Sequence, residues 1–167
     1  MKNIILFLSL VIPTINGFSQ QINTEKSIIN FILPKAEGTI TGLKGTIVID
    51  LIDITKSSFN VSIDPNTIDT GNKKRDNHLR TEDYFYVEVF PKITFISESV
   101  TKTKKGYSTE GTMKLHGISQ KVVINFTVTE TDSEMTLIGN LSVNQLDYEM
   151  AKKDKIVEVK ITCVLTK

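Results

Sequence analysis

Alternation of apolar and polar residues with a period of two is the feature that most constrains the fold of this chain. It is clearest near the end of the sequence, at Val157, Val159, Ile161, Cys163 and Leu165. Successive side chains of an extended strand point to opposite faces, so the pattern predicts strands with one buried face. The predicted strands are residues 27–34, 43–52, 58–64, 92–101, 107–116, 122–129, 135–144 and 157–166.

Short turn signals separate these strands, notably at residues 104–106, 116–117 and 131–133. Connections this short favour antiparallel neighbours, because parallel strands need long crossovers. About eight strands of this kind suggest a sandwich or a barrel. No repeat or linker interrupts the chain, so we expect one domain.

The first residues have the pattern of an export signal. A positively charged start at residues 1–3 is followed by an apolar run at 4–12, too short to span a bilayer, and then by small residues at Gly17 and Ser19. We therefore expect a signal peptide at 1–19 and a mature domain at 20–167 without a transmembrane segment. The mature protein would be periplasmic or secreted.

Charge and cysteine content exclude several classes of protein. The net charge of +1 gives no reason to expect nucleic acid as a partner. Cys163 is the only cysteine, so no intrachain disulfide can form, and the alternation places it inside as a small hydrophobic residue. The two histidines lack metal-ligand spacing, and no metal site is expected.

Residues 68–95 do not alternate. Asp69-Thr70-Gly71 has the composition of a turn, and Asn72 or Asp69 could cap a short helix after it. The helical pattern continues through the aromatic pair at 84–85 until Pro91 stops it. Leu79 and Phe85 would lie on one side of this helix, and we expect that side to cover the open end of a barrel.

The Asp-Thr-Gly tripeptide at 69–71 also carries the catalytic aspartate in aspartic proteases. Two such carboxylates must face each other, so Asp69 would need a homodimer, with residues 137–139 as the downstream apolar run. A simpler role for Asp69 is to accept hydrogen bonds from the backbone just ahead. No G-x-S-x-G elbow is present, and we do not expect an enzyme.

Several motifs in order resemble those of the YceI-like family of polyisoprenoid-binding proteins. They are IDTGN at 68–72, RDNHL at 75–79, PKITF at 91–95 and LHG at 115–117. The resemblance implies a mainly β fold, an eight-stranded antiparallel lipocalin-like barrel with a short helix over one end. It also implies a long isoprenoid-type lipid or quinone held in the apolar bore, and no cofactor.

Two departures from the family pattern stand out. Leu33-Pro34-Lys35 replaces a histidine near the end of the first strand, and Gln145-Leu146-Asp147-Tyr148-Glu149 replaces an R-x-D-[FY]-G pattern. The missing histidine and arginine put polar contacts at those points in doubt, but they do not disturb the barrel.

The expected ligand-binding residues form three groups. The predicted lining is Phe31, Phe59, Phe95, Leu115 and Phe126, and the predicted lid is Leu79, Tyr84 and Phe85. His78 and His116, with Arg75 and Arg80, could meet a polar head group at the mouth. In the alternative interpretation Arg75, Asp76, Glu82 and Asp83 pair with one another and cap helix ends. A structural or adhesive β-sandwich remains a further alternative, and the oligomeric state is open, with a homodimer possible.

Overall fold

The computed structural model describes residues 20–33, 36–151 and 153–166, and for Leu33 it describes only the backbone. The proposed signal peptide at 1–19 and the Pro34-Lys35 pair lie outside these residues. Within them the predicted fold class is confirmed, because the chain forms one curled antiparallel sheet with one short α-helix. It does not form a sandwich of two separate sheets.

In the described ranges the sheet contains ten strands. They are β1 (Gln21–Ile22), β2 (Ile28–Leu33), β3 (Ala36–Ile40), β4 (Lys44–Val48), β5 (Ser58–Ile63), β6 (Ile93–Thr103), β7 (Gly106–Leu115), β8 (Ile118–Glu130), β9 (Glu134–Asn144) and β10 (Ile156–Thr166). The helix α1 spans Lys73–Leu79, and short 3-10 turns lie at Ile54–Lys56, Pro65–Thr67 and Gln145–Tyr148. Among the described residues, no helix has the length and apolar character needed to cross a membrane.

Each of the eight predicted strands corresponds to an observed one, and β1 and β3 are additional. The two residues of β1 are too few to show a period, and β3 has the sequence AEGTI, with a single large apolar residue. The strand order is β3-β2-β10-β9-β8-β7-β6-β5-β4, and β1 also pairs with β10. The sheet therefore has two edges, at β3 and β4, which do not pair with each other.

The Asp-Thr-Gly stretch covers the edge at β3. The backbone of Asp69 exchanges two hydrogen bonds with Thr39, at 2.8 and 3.0 Å. The hydroxyl of Thr67 accepts from Thr41 N and donates to Thr41 O, both at 3.0 Å. This segment thus forms hydrogen bonds that a neighbouring strand would otherwise supply, which protects an exposed edge.

Gln20 acts in a similar way just beyond β4. Its side-chain amide accepts a hydrogen bond from Ile49 N at 3.0 Å and donates one to Ile49 O at 3.2 Å. The next two residues form β1 and pair with the end of β10. Residues 20–22 therefore connect β10 with the chain that follows β4, across the gap between the two unpaired edges of the sheet.

Charged side chains hold the segment that covers β3 in place. The buried carboxylate of Asp76 accepts from the backbone N–H and the hydroxyl of Thr70, at 2.9 and 2.5 Å. These bonds lower the pKa of Asp76, although desolvation opposes them. Arg75 donates to Thr70 O at 2.8 Å, and Arg80 donates to Ile68 O at 2.9 Å. These contacts are local, but they join Asp76, Arg75 and Arg80 to Thr70 and to the Ile68 carbonyl, whereas the alternative interpretation expected the charged side chains to pair with one another.

The helix is shorter than predicted. Asn72 caps its start, as expected, and accepts from the N–H groups of Lys74 and Arg75. The helix ends at Leu79, however, so the prediction that it continues through residues 84–85 is wrong. The hydroxyl of Thr81 donates a hydrogen bond to the carbonyl oxygen of His78, and Phe85 N donates one to Leu79 O across a wider turn. Local side-chain bonds of this kind compete with helix continuation.

Substituting alanine for Gly38 on β3 should destabilise the fold. A Cβ atom at this position would lie 2.6 Å from the ring of Phe31 and 2.7 Å from the carbonyl oxygen of Asp69. The clash with a backbone atom would push the covering segment away from β3. We expect Gly38→Ala to lower the free energy of unfolding by about 1–3 kcal/mol in urea titrations. The exposed neighbour Glu37 gives the control, and equal stability of Gly38→Ala and Glu37→Ala would contradict the packing described.

Candidate functional site: an apolar cavity inside the curled sheet

One end of the curled sheet is covered by chain, and here it is termed the covered end. The paired strand ends Leu115/Ile118, Asn144/Ile156 and Ile63/Ile93 lie there. The cover segment, residues 73–90, consists of α1 and the turns after it. The ring of Phe90 in this segment packs edge-on against His116 at 5.4 Å, which fixes the segment against the β7–β8 turn.

The sheet and the cover segment enclose a cavity. This cavity has a volume of about 210 Å³, so the interior is hollow. Toward the opposite end, Val100, Met135 and Leu165 are buried without lining the cavity, and they fill the interior there. The cavity therefore extends from the cover segment toward a packed floor.

Eight of the ten residues predicted to bind a ligand line this cavity. From the sheet these are Phe31, Phe59, Phe95, Leu115 and Phe126, and from the cover segment Leu79, Tyr84 and Phe85. The five sheet residues are all buried, and the three cover residues are partly buried. Their placement together does not test binding, so the binding roles remain predictions.

His78 and His116 do not line the cavity. His78 is exposed, and its Nε2 lies 3.3 Å from Asp83 Oδ2. His116 Nδ1 lies 3.1 Å from the carbonyl oxygen of Tyr148. The arginines predicted beside them donate to backbone carbonyls near residues 66–70. The structure thus gives these side chains protein partners at the outside of the covered end, and a contact with a head group stays a prediction.

The described part of the lining carries no charge. Among the residues that the structure describes, no Asp, Glu, Lys, Arg or His lines the cavity, and the lining side chains with polar atoms are Tyr84, Ser62, Thr94, Thr109, Gln145 and Cys163. The hydroxyl of Thr109 already donates to Ser99 O at 2.9 Å. In the part of the chain that the structure describes, no cluster of three or more potential ligands could hold a metal ion. The arrangement can enclose a neutral, apolar molecule.

Asp69 has the simpler of its two predicted roles. Its carboxylate accepts a hydrogen bond from Gly71 N at 2.8 Å, closing the turn just ahead. It is exposed and lies outside the cavity lining. Leu137 and Gly139, the residues compared with a protease, instead line the cavity from β9.

Sequence reasoning missed Gln145 as a cavity residue. It is only 7% exposed, it lines the cavity, and its Oε1 is buried without a hydrogen-bond partner. Its position was visible in the sequence, because Gln145 stands where the family pattern has arginine. What the sequence could not show is that the side chain lies inside.

Cys163 faces inward as predicted. It is buried, lines the cavity and is reduced. Burial raises the pKa of its thiol to about 11, against a weaker opposing hydrogen bond with Ser27. A thiol with so high a pKa is a poor nucleophile at neutral pH.

The raised pKa of Cys163 predicts a loss of stability at alkaline pH. The unfolded chain releases the thiol proton near pH 9 and the folded chain only near 11, so the folded state binds more protons in between. We expect roughly 2 kcal/mol of unfolding free energy to be lost across this window. Burial likewise raises the pKa of Tyr148 to about 12, which acts in the same direction. Urea titrations across the window measure the slope.

The control for this prediction is Cys163→Ala, which removes the titrating group and keeps the position apolar. Its stability should fall less steeply with pH than that of the unchanged chain. Equal slopes for the two proteins would show that the thiol is not shielded from solvent.

Comparison with known proteins supports the architecture. The model of the YceI-like domain family matches residues 20–165. A UPF0312 protein of Yersinia enterocolitica is 32% identical over 103 residues, which are 62% of this chain and 50% of that protein. The chain therefore matches about half the length of this relative.

Solved structures show the same fold at low sequence identity. BcnA of Burkholderia cenocepacia superposes with a TM-score of 0.80 at 19% identity, covering 86% of this chain and 99% of BcnA. A polyisoprenoid binding domain from Saccharophagus degradans, implicated in plant cell wall breakdown, superposes with a TM-score of 0.65 at 14% identity, covering 89% of this chain and 98% of that domain.

Proposed function

Because this chain belongs to the YceI-like family, we propose that it binds an isoprenoid-type lipid or quinone in its apolar cavity. The single observation that carries the proposal is a hollow of about 210 Å³ that no charged residue lines in the described part of the chain. The polyisoprenoid binding of one structural neighbour supports the choice of ligand class. In this proposal the protein is a carrier or store, and it catalyses no reaction.

Burial of the tail supplies the binding energy. Each CH₂ group transferred from water to an apolar site contributes about 0.8 kcal/mol. The aromatic rings of the lining give the tail a preformed surface, with Phe59 and Phe126 edge to face at 5.4 Å. A preformed cavity lowers the ordering cost of association, so several isoprene units could bind without one hydrogen bond.

The cover segment is the proposed entrance. Leu79, Tyr84 and Phe85 contribute apolar side chains to the cavity from a part of the chain outside the sheet. Displacing this segment would open the cavity without breaking strand pairing. The loops that gate binding sites generally belong to such less regular parts of a fold.

The proposal also includes export of the protein from the cytoplasm. With residues 1–19 removed as a signal peptide, the domain would work in the periplasm or outside the cell. A water-insoluble chain cannot cross such a compartment unaided, and a protein that encloses the tail would transport, store or sequester it.

The test is to identify what the protein carries. The chain is purified from its own compartment, extracted with organic solvent and analysed by mass spectrometry, and the emptied protein is titrated with prenyl lipids. A co-purifying prenyl lipid, released in about molar amounts, is expected. A protein that stays empty and gains no thermal stability from any prenyl lipid would refute the proposal.

A further inference from the structure

We propose that the buried amide of Gln145 binds the polar end of the lipid, and that the preferred ligand is a prenyl chain ending in a hydroxyl group. This inference rests on the proposed function and adds the chemistry of the head group. It assigns a specificity role to a lining residue whose side-chain oxygen is buried without a hydrogen-bond partner.

The side chain of Gln145 is buried and lacks a partner. Its Oε1 has no hydrogen bond, and the residue is 7% exposed at the cavity wall. A buried acceptor without a donor is unfavourable, so such atoms are rare in folded proteins. A ligand that brings a donor into the cavity would remove this cost, whereas a purely hydrocarbon ligand would not.

The backbone fixes the position of this residue. Gln145 N donates to Lys155 O at 3.0 Å, and Gln145 O accepts from Met150 N at 3.0 Å. The carboxamide of Asn144 caps the same turn by accepting from Leu146 N at 3.1 Å. Because the backbone is bound on both sides and the residue is buried, Gln145 is held at the cavity wall before a ligand arrives.

Because no charged residue lines the described part of the cavity, a neutral head group should bind better than a charged one. No Lys, Arg or His among the described residues lines the cavity, so a diphosphate drawn inside would find no counter-charge among them. An ion buried without such compensation is strongly unfavourable. A hydroxyl is neutral, and it both donates and accepts, which matches the acceptor Oε1 and the donor Nε2 of an amide.

The location of Gln145 predicts how the bound lipid is oriented in the cavity. The residue directly follows β9 at the covered end. The hydroxyl would therefore lie beneath the cover segment, and the tail would extend toward the packed floor at Met135 and Leu165. A quinone, which has carbonyl acceptors and no donor, would leave Oε1 unsatisfied.

The experiment compares three ligands with one tail. Geranylgeraniol has a hydroxyl, its methyl ether accepts but cannot donate, and geranylgeranyl diphosphate is charged. We expect the unchanged protein to bind the alcohol about 3- to 10-fold more tightly than the ether, the range of one net hydrogen bond. The diphosphate should bind most weakly. Equal affinity for alcohol and ether, or tightest binding of the diphosphate, would overturn the inference.

The variant Gln145→Leu should lose the preference for the alcohol and bind the ether at least as well as the unchanged protein does. Gln120→Leu is the matched control, since Gln120 Nε2 donates to Asp147 O at 2.9 Å and does not line the cavity. A preference that persists in Gln145→Leu would also overturn the inference. The comparison of alcohol with ether in the unchanged protein needs no variant to fold. If none of the three ligands binds while a quinone co-purifies, the inference alone fails; if the protein also stays empty and no prenyl lipid stabilises it, the proposed function fails as well.

Discussion

Replacing Val159 by phenylalanine is expected to weaken lipid binding by about 30- to 150-fold while the chain stays folded. Val159 lines the cavity from β10, between Phe31 on β2 and Leu141 on β9. The larger ring would occupy space that three or four carbon atoms of a tail need, which corresponds to roughly 2–3 kcal/mol of lost transfer energy.

The fold should tolerate this substitution because the ring enters space that is already empty. Overpacking destabilises a core when no room exists, but here the side chain faces a cavity of about 210 Å³. Circular dichroism and urea unfolding should therefore resemble those of the unchanged protein. Titration with a fluorescent prenyl lipid measures the affinity.

The next residue along β10 is the control. Lys160 is exposed on the opposite face of the same strand, and Lys160→Phe adds a similar ring outside the sheet. Its affinity should match that of the unchanged protein. If Val159→Phe binds normally and Lys160→Phe does not, the lipid binds on the outer surface and the cavity is not the site.

The strands and their inward faces could be predicted because both depend on local sequence. A period of two sets which face each side chain occupies, whatever the strand pairs with, so Cys163 and Phe126 were placed inside correctly. The cap at Asn72 and the turn at Asp69 are local as well, since each depends on contacts within three residues.

The features that were missed depend on contacts distant in sequence. The sequence of β3 shows no alternation of apolar and polar residues. The edge of β3 that pairs with no strand is covered by residues 67–69. The early end of the helix is an exception, because the turn contacts that replaced helical ones, such as that of Thr81 with His78, are local. Whether the interior is hollow depends on the summed volume of side chains from nine strands and the cover segment, which no single motif reports.

Truncating Phe126 to alanine should cause the largest loss of stability among the variants described. The ring is 5% exposed and packs edge to face on Phe59 at 5.4 Å, with Tyr107 tilted against it at 5.5 Å. Removing a buried phenylalanine ring typically costs about 3–5 kcal/mol. That is a large part of the roughly 5–15 kcal/mol that stabilises an ordinary domain.

Urea unfolding of Phe126→Ala measures this loss, with Asn125→Ala as the control. Asn125 is the exposed neighbour on β8, so its truncation should change the unfolding free energy by less than about 0.5 kcal/mol. A loss below about 1 kcal/mol in Phe126→Ala would mean that neighbouring side chains collapse into the vacated space. Such a collapse would narrow the cavity, so the variant would then lose lipid affinity without losing stability. A large stability loss with the affinity little changed would instead show that the sheet holds the cavity open without this ring.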